Sequence, residues 1–225
     1  MNFANQVIDF LSDLHFPIEL NENIRVMNPF RDAVTTELLR EFYHRFYNDQ
    51  QERWTIIGIN PGRFGGGVTG IPFTDPVRLE TVCGISNPWP KKQELSSVFI
   101  YDMINAFGGV ESFYSKFYIT AISPLGFTRD NKNLNYYDDK ELLLRIRPFV
   151  VECMEKQLSF GIHRNVAFCL GDGKNYKYLN ALNTELRFFN TIIPLSHPRF
   201  IMQYRVKKKH EFIGKYLDAF RKYCT

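Results

Sequence analysis

Cysteine is scarce in this chain, and no two cysteines lie close together. The four residues Cys83, Cys153, Cys169 and Cys224 form no C-x-x-C pair. Their spacing supports neither a zinc site nor a disulfide framework. Two of them fall within apolar runs, which is typical of reduced core thiols in a reducing compartment. We therefore expect no bound metal and no disulfide.

Long apolar segments are also missing. No stretch approaches the roughly 20 consecutive apolar residues that a membrane-spanning helix needs. Residues 1–15 carry Asp9 and Asp13 inside their apolar pattern and lack a basic segment, so they do not resemble a signal peptide. These absences predict a cytoplasmic protein without a membrane partner.

A strong excess of one charge is absent as well. The 28 Lys and Arg residues and 24 Asp and Glu residues give a net charge of +4, which permits a nucleic-acid partner without requiring one. The chain has 225 residues, of which 44% are hydrophobic and 16% aromatic. That is enough to bury a full core, and we predict a single domain over 1–225.

Short apolar runs alternate with helical patterns along the chain. Runs at 54–59, 116–122, 165–170 and 188–195 are typical of strands buried on both faces. Helical spacing of apolar residues predicts helices at 3–14, 28–46 with Asn28 as N-cap, 138–158, 176–186 and 204–223. The alternation predicts an α/β fold, a three-layer α/β/α sandwich around a central, mainly parallel four-stranded sheet.

Polar side chains follow each predicted strand. In open α/β sheets, ligands bind outside the carboxyl ends of the strands, so the loops there should meet in space. The candidate site residues on these loops are Asn60, Ser123, Thr128, Asp172, Lys174 and His197.

The loop after the first strand has the unusual sequence GINPGRFGGGVTGIPF, residues 58–73. It contains neither G-x-x-x-x-G-K-[ST] nor G-x-G-x-x-G, so a nucleotide cofactor is disfavoured, and we expect no cofactor. A purely structural turn would account for the glycines. It would leave Asn60 and the Pro72-Phe73 pair without a purpose.

This loop resembles the first motif of the uracil-DNA glycosylase superfamily, in particular the single-strand-selective monofunctional branch. That branch has the form G-x-N-P-G-x-F-G-x-x-x-T-G-x-P-F, which the loop matches at every fixed position. A second expected motif, a His-Pro loop after the last strand, is present as SHPRFIMQYR. The resemblance covers about 54–205 and leaves the N-terminal helices outside it.

The resemblance implies a monofunctional DNA glycosylase. Such an enzyme flips a uracil, and here also other deaminated bases such as xanthine and hypoxanthine, out of DNA and hydrolyses the N-glycosidic bond in base excision repair. The expected partner is DNA that contains these bases. We expect a monomer that is associated with the nucleoid.

The resemblance also implies roles for individual residues. Asn60 would orient the attacking water, although an Asn before a proline also commonly caps a turn. His197 would donate a hydrogen bond to the developing oxyanion at O2 of the pyrimidine. Phe73 would stack on the extruded base, with Gly62 and Phe64 as further base-binding residues.

The His-Pro loop would also prop open the gap left by the flipped base. Phe200, Ile201 and Met202 are the predicted wedge, and Arg199 and Arg205 the predicted phosphate contacts. The alternative for the wedge is that one or two of its three apolar residues are buried against the last helix.

One position departs from the family pattern. The family reads the base edge with an Asn at the end of the second strand, and this chain has Ala121 there, in AISPL. Either Thr120, Ser123 or backbone replaces the lost amide, or the pocket tolerates several deaminated bases. A second hypothesis is a catalytically weak glycosylase-like protein that binds damaged or single-stranded DNA.

Overall fold

The computed structural model describes residues 1–17, 19–20 and 22–224. Its strands are β1 (Ile24–Met27), β2 (Arg53–Gly58), β3 (Phe117–Ala121), β4 (Gly126–Arg129), β5 (Lys132–Leu134), β6 (Ile162–Leu170) and β7 (Thr191–Leu195). Its helices are α1 (Phe3–Asp13), α2 (Ala33–Tyr47), α3 (Gly66–Thr69), α4 (Pro76–Thr81), α5 (Leu95–Phe107), α6 (Val110–Tyr114), α7 (Lys140–Arg145), α8 (Arg147–Leu158), α9 (Lys174–Leu186), α10 (Pro198–Tyr204) and α11 (Lys209–Tyr223).

The central sheet has the order β3-β2-β6-β7, and each neighbouring pair is parallel. Ile56 of β2 pairs with Ile119 on one side and Phe168 on the other, and all three side chains are buried. Strands covered on both faces need continuous apolar runs, which is why the sequence identified them. The predicted α/β/α fold around a parallel four-stranded sheet is confirmed.

The strand order creates a crevice. The chain adds β3 on one side of β2 and β6 on the other, so the loops at their carboxyl ends diverge. The loop after β2 begins at Ile59 and the loop after β6 at Gly171, and both flank this switch point.

Several predicted helix boundaries are wrong. Asn28 caps only a short 3-10 turn at Pro29–Arg31, and α2 starts later because Asp32 accepts a hydrogen bond from the Thr35 N–H at 2.8 Å. The helix predicted at 138–158 is divided into α7 and α8, with Pro148 in the first turn of α8. The last helix begins at Lys209, after α10 and a 3-10 turn at Val206–Lys208.

A second sheet and helix α5 are among the features that had no counterpart in the prediction. The antiparallel sheet β1-β4-β5 consists of strands of three or four residues, too short for a clear alternation. Helix α5 is buried on more than one side, so its apolar residues show no single stripe.

Helix α1 packs into the same core as the sheet. The Phe3 ring lies 5.6 Å from the Tyr47 ring of α2 and 5.3 Å from the Tyr118 ring of β3, measured between centroids. This packing supports one domain over 1–225, which stays a prediction. Within the described residues, no helix is both long and apolar enough to cross a membrane.

Candidate active site

A cleft with about 860 Å³ of empty volume opens at the crevice beside β2. Six predicted site residues line it, namely Asn60, Gly62, Phe73, Ala121, His197 and Arg199. The loops after β2 and β7 thus meet, as the sheet topology required.

Both ends of the Asn60 amide are hydrogen-bonded to backbone at the end of β5 and just after it. Oδ1 accepts from the Tyr136 backbone N–H at 3.0 Å, and Nδ2 donates to the Leu134 carbonyl at 3.2 Å. These two bonds fix which end of the amide is oxygen. Oδ1 keeps a second lone pair, because an amide oxygen can accept twice.

The segment that holds Asn60 is anchored to the sheet in turn. The buried Tyr136 hydroxyl donates to Asn175 Oδ1 at 2.8 Å. Asn175, at the start of α9, donates to the Leu170 carbonyl at 3.0 Å and to the Gly58 carbonyl at 3.4 Å. Buried polar groups that are all paired give a rigid support.

Phe73 has a strained backbone, with φ of +54°. The hydroxyl of the buried Thr69 lies within the same turn: it donates to the Thr74 carbonyl at 2.7 Å and accepts from the Ile71 N–H at 3.2 Å. The Thr74 hydroxyl is paired with the Tyr101 hydroxyl at 2.9 Å. Side-chain hydrogen bonds thus hold the turn that aims Phe73 into the cleft.

His197 is the N-cap of α10, and its ring centroid lies 6.0 Å from that of Phe73. Nδ1 accepts a hydrogen bond from the Arg199 N–H at 3.1 Å, so the proton of a neutral ring must reside on Nε2. Burial, followed by the nearby Arg199 guanidinium, lowers the pKa of His197 from 6.5 to about 4. The imidazole is therefore neutral near pH 7, with Nε2–H free to donate.

The loop that carries His197 is held on two sides. The Ser196 hydroxyl donates to Asp172 Oδ2 at 3.0 Å, and the Tyr216 hydroxyl of α11 donates to the Ser196 carbonyl at 2.6 Å. The Gly171 N–H also donates to the Leu195 carbonyl at 2.7 Å. The loops after β6 and β7 are therefore bound to each other.

Glu94 also lines the cleft, a residue the sequence did not suggest. Its carboxyl lies on the bare backbone of the glycine loop: a Cβ at Gly62 would be 2.6 Å from Oε1, and one at Gly65 would be 1.8 Å from Oε2. Burial and then the Asp75 carboxylate raise the pKa of Glu94 to about 7, against the effect of Arg199. The Cβ positions of Gly62 and Gly65 thus face a carboxyl group.

The hydroxyls beside Ala121 are engaged elsewhere. Ser123 is fully buried, does not line the cleft and donates to the Leu125 carbonyl at 2.7 Å, so its assignment to base binding is wrong in this structure. The Thr120 hydroxyl donates to Gln157 Oε1 at 2.6 Å. Neither O–H is free to replace the missing amide.

Phe64 lies outside the cleft. The Arg63 guanidinium and the Lys92 ammonium stand over its ring, 4.4 Å and 4.0 Å from the centroid. Cation–π contacts of this kind hold the ring at the surface. The structure therefore does not bring Phe64 to the place predicted for base binding.

The predicted wedge is divided between surface and core. Ile201 has no exposed surface and packs in the core, which contradicts its assignment to the wedge, and Met202 is partly buried. Phe200 is 41% exposed and Tyr204 66% exposed, with their ring centroids 5.8 Å apart. The exposed apolar surface of α10 is therefore this aromatic pair, and the Arg205 guanidinium lies 5.5 Å from the Phe200 ring centroid.

The other predicted loop residues have different positions. Asp172 and Lys174 line a second cavity next to the cleft, together with His197, Arg199 and Phe200. Thr128 lies within β4, paired with Arg25 and Asn133, and lines neither cavity. Among the residues that the structure describes, no three His, Cys, Asp or Glu side chains are grouped as metal ligands would be.

Sequence reasoning missed Glu94, Asn133, Tyr136 and Asn175. Glu94 precedes a helix that the apolar pattern did not identify, so no signal pointed to it. Asn175 does lie in the GDGKN loop after the third apolar run, which was expected at the site. Asn133 lies in the sheet that was not predicted, and Tyr136 lies just after its last strand.

The comparisons with known proteins agree with this geometry. The family model of the Uracil DNA glycosylase superfamily matches residues 44–221. The crystal structure of wild-type SMUG2 from Pedobacter heparinus is 50% identical to this chain. The similarity covers 99% of this chain and 98% of that one, with a TM-score of 0.96. A search of curated proteins gives no significant match. The chain belongs to the uracil DNA glycosylase superfamily.

Proposed function

We propose that this protein is a monofunctional DNA glycosylase that removes uracil, and also xanthine and hypoxanthine, from DNA by hydrolysis. The observation that carries the proposal is the meeting of Asn60, Phe73 and His197 in one cleft. An aromatic ring for the base, a neutral donor for the leaving group and a fixed amide for water are the parts that this reaction needs.

The departing base carries the charge that the site must stabilise. As the glycosidic bond stretches, the sugar becomes cationic and the base becomes an anion. The Nε2–H of His197 is the donor for that anion, and its low pKa keeps the ring from taking up a proton near neutral pH. The ring of Phe73 would hold the extruded base beside this donor by stacking.

Asn60 would place the attacking water. An amide has essentially no basicity, so it cannot act as a general base in the way that a carboxylate does. Its oxygen is held by the Tyr136 N–H and can accept one more hydrogen bond, which suits a water aimed at a cationic sugar. The cleft lining, within the described residues, contains no lysine for a Schiff base. This supports hydrolysis without a covalent intermediate.

The expected breadth follows from Ala121. A methyl group reads no base edge, and the hydroxyls of Thr120 and Ser123 are engaged elsewhere. A pocket that stacks a base and stabilises its anion without one required pattern should accept several deaminated bases. The exposed aromatic pair Phe200 and Tyr204 would occupy the gap in a duplex, with Arg199 and Arg205 near phosphates.

Alkali cleavage of end-labelled oligonucleotides tests this function. Single and double strands would each carry one uracil, xanthine or hypoxanthine. We expect release by the wild type, and loss of most release but not of DNA binding in Asn60→Ala and His197→Ala. The exposed Asn180→Ala and His210→Ala are matched controls.

Failure to release any of the three bases would refute the glycosylase function. Salt-sensitive DNA binding without cleavage would instead support a module that recognises damaged or single-stranded DNA.

A further inference from the structure

Glu94 is a carboxyl group in the cleft with no role in the mechanism above. It is the N-cap residue of α5, yet its side chain does not cap the helix. Its backbone N–H donates to Asp75 Oδ2 at 2.8 Å, while the side chain turns towards Gly62 and Gly65. No hydrogen bond joins its carboxyl to any other group among residues 1–17, 19–20 and 22–224.

The Glu94 carboxyl, half-buried at the cleft wall, therefore depends on water or on a bound ligand for its hydrogen bonds. A half-buried carboxyl without protein donors is disfavoured as an anion, and more so when a second carboxylate such as Asp75 is near. In the neutral form it carries one O–H donor and one acceptor, and the donor then needs a partner. Since the cleft is the open space beside it, a bound ligand is the available partner.

We propose that the Glu94 side chain contacts the extruded base as a second hydrogen-bond donor, in addition to His197. This inference rests on the proposed function. The charge of a departing base spreads over its ring and carbonyl oxygens, so two donors can share it. Each deaminated base bears a carbonyl oxygen where cytosine, adenine or guanine bears an amino group, and a carbonyl accepts from an O–H.

The protonation state of Glu94 decides this contact. A carboxylate would repel the departing anion, whereas the acid donates to it. The charged groups that act on Glu94 are Asp75, which caps α4 and is paired with Arg78, and Arg199 of α10. His197 lines the same cleft. The nearby Arg63 and Lys92 are directed to the Phe64 ring. With a pKa of about 7, the acid form and its contact should be lost as the pH rises through neutrality.

The glycine loop fits this assignment. A side chain at Gly62 or Gly65 would occupy the position of the Glu94 oxygens. Asn133 Nδ2 lies 3.4 Å from the same Gly62 Cβ position, on the cleft wall beside the carboxyl. The two glycines therefore leave room for an acid that reaches the base.

The test measures binding to the base separately from its excision. Oligonucleotides would carry either 2′-fluoro-deoxyuridine, whose glycosidic bond resists hydrolysis, or a tetrahydrofuran abasic analogue. The Kd for the abasic strand divided by the Kd for the base-bearing strand reports the contribution of the base to binding. We expect Glu94→Ala to reduce this ratio about tenfold, as the loss of a buried hydrogen bond does. Glu155→Gln, on an exposed face of α8, is the matched control.

Glu94→Gln keeps a hydrogen-bond donor at this position but removes the titrating carboxyl group. Its amide donates at every pH, so its ratio should be equal at about pH 6 and about pH 8, on either side of the Glu94 pKa of about 7. The wild-type ratio should decrease as the pH rises from about 6 to about 8. The urea midpoint of the wild type, relative to that of Glu94→Gln, should likewise fall as the pH rises from 4.5 to about 7, because the folded pKa lies above the ordinary 4.5.

The outcomes distinguish the two proposals. If the wild type prefers the base-bearing strand and Glu94→Ala does so equally, Glu94 does not contact the base. A wild type without any such preference overturns the inference as well. If the preference depends on Glu94 but uracil is not released from cleavable DNA, the contact stands and the glycosylase function fails.

Discussion

The Phe73 ring lies directly against the backbone of Gly58. A Cβ on Gly58 would stand 2.8 Å from Cε2 and 2.9 Å from Cζ of that ring. Gly58 is the last residue of β2, so the rigid central sheet is the surface on which the stacking ring rests. The first and last residues of the glycine loop motif are therefore in contact.

Gly58→Ala should displace the Phe73 ring and weaken stacking on the base. We expect base release to slow about tenfold or more for every deaminated base, since stacking is worth about 1–3 kcal/mol per base and does not depend on its identity. Single-turnover rates on uracil and hypoxanthine substrates would measure this. Gly214→Ala, where an added Cβ meets nothing within 4 Å, should leave both rates unchanged. An unchanged rate in Gly58→Ala would show that ring placement does not matter.

His197 should make stability depend on pH. Its folded pKa of about 4 lies below the ordinary 6.5, so the unfolded chain takes up a proton first as the pH falls. Stability from this group is present above pH 6.5 and is lost as the pH falls towards 4, by about 1–3 kcal/mol. His197→Gln should remove that part of the decline in urea unfolding. Because Glu94 titrates with the opposite sign, the difference between variant and wild type is the quantity to compare. A difference that does not vary with pH would contradict the neutral, enclosed imidazole.

Arg53 should contribute strongly to stability. It has no exposed surface, forms two hydrogen bonds of 2.8 Å with Asp49 and donates to the Tyr114 carbonyl at 2.9 Å. Its guanidinium also lies 4.7 Å from the Phe3 ring centroid, which joins it to α1. Arg53→Met leaves these acceptors unpaired, and we expect a loss of about 2–4 kcal/mol of unfolding free energy.

The exposed pair of Arg221 and Asp218 provides the control for Arg53. Arg221→Met should cost less than about 0.5 kcal/mol, because water screens exposed ion pairs. Equal urea midpoints for the two variants would show that the buried pair contributes no more to stability than the exposed pair does.

The exposed and buried residues of α10 should have separable effects. Phe200→Ala removes an exposed aromatic from the predicted wedge, so it should slow uracil release from duplex DNA about tenfold more than from single strands. Ile201→Ala removes a core side chain, so it should cost about 2–5 kcal/mol of stability without a selective effect on duplexes. Rates on both substrates, together with urea unfolding, would distinguish the two. A selective effect on duplexes in Ile201→Ala alone would reverse the assignment.

The apolar runs were sufficient for the central sheet. A strand buried on both faces is apolar throughout, so its signal is local in the sequence and does not depend on its neighbours. Helix boundaries that are set by side-chain caps were harder to predict from the sequence. Asn28 and Asp32 are both good caps in the sequence, and only the bonds to Phe30 and Thr35 show which one begins α2.

The motifs likewise identified part of the cleft. Asn60, Phe73 and His197 lie on loops that match the family motifs, and the sheet topology brings these loops together. Ser123 and Ile201 show the limit, because whether a side chain faces the ligand or the core depends on the register in which its segment packs. No local pattern encodes that register.

By itself, the sequence determined the parallel sheet, the family and the loops that form the cleft. Those features follow from apolar runs and from motifs that are continuous along the chain. Only the tertiary structure decided which side chains face the cleft and in what state. It placed the Glu94 carboxyl against Gly62 and Gly65, and it left the Nε2–H of His197 free to donate. It also fixed the Asn60 amide through a hydrogen bond from the Tyr136 N–H. These contacts join residues far apart in the chain, and the pKa values follow from the burial and charges that folding creates.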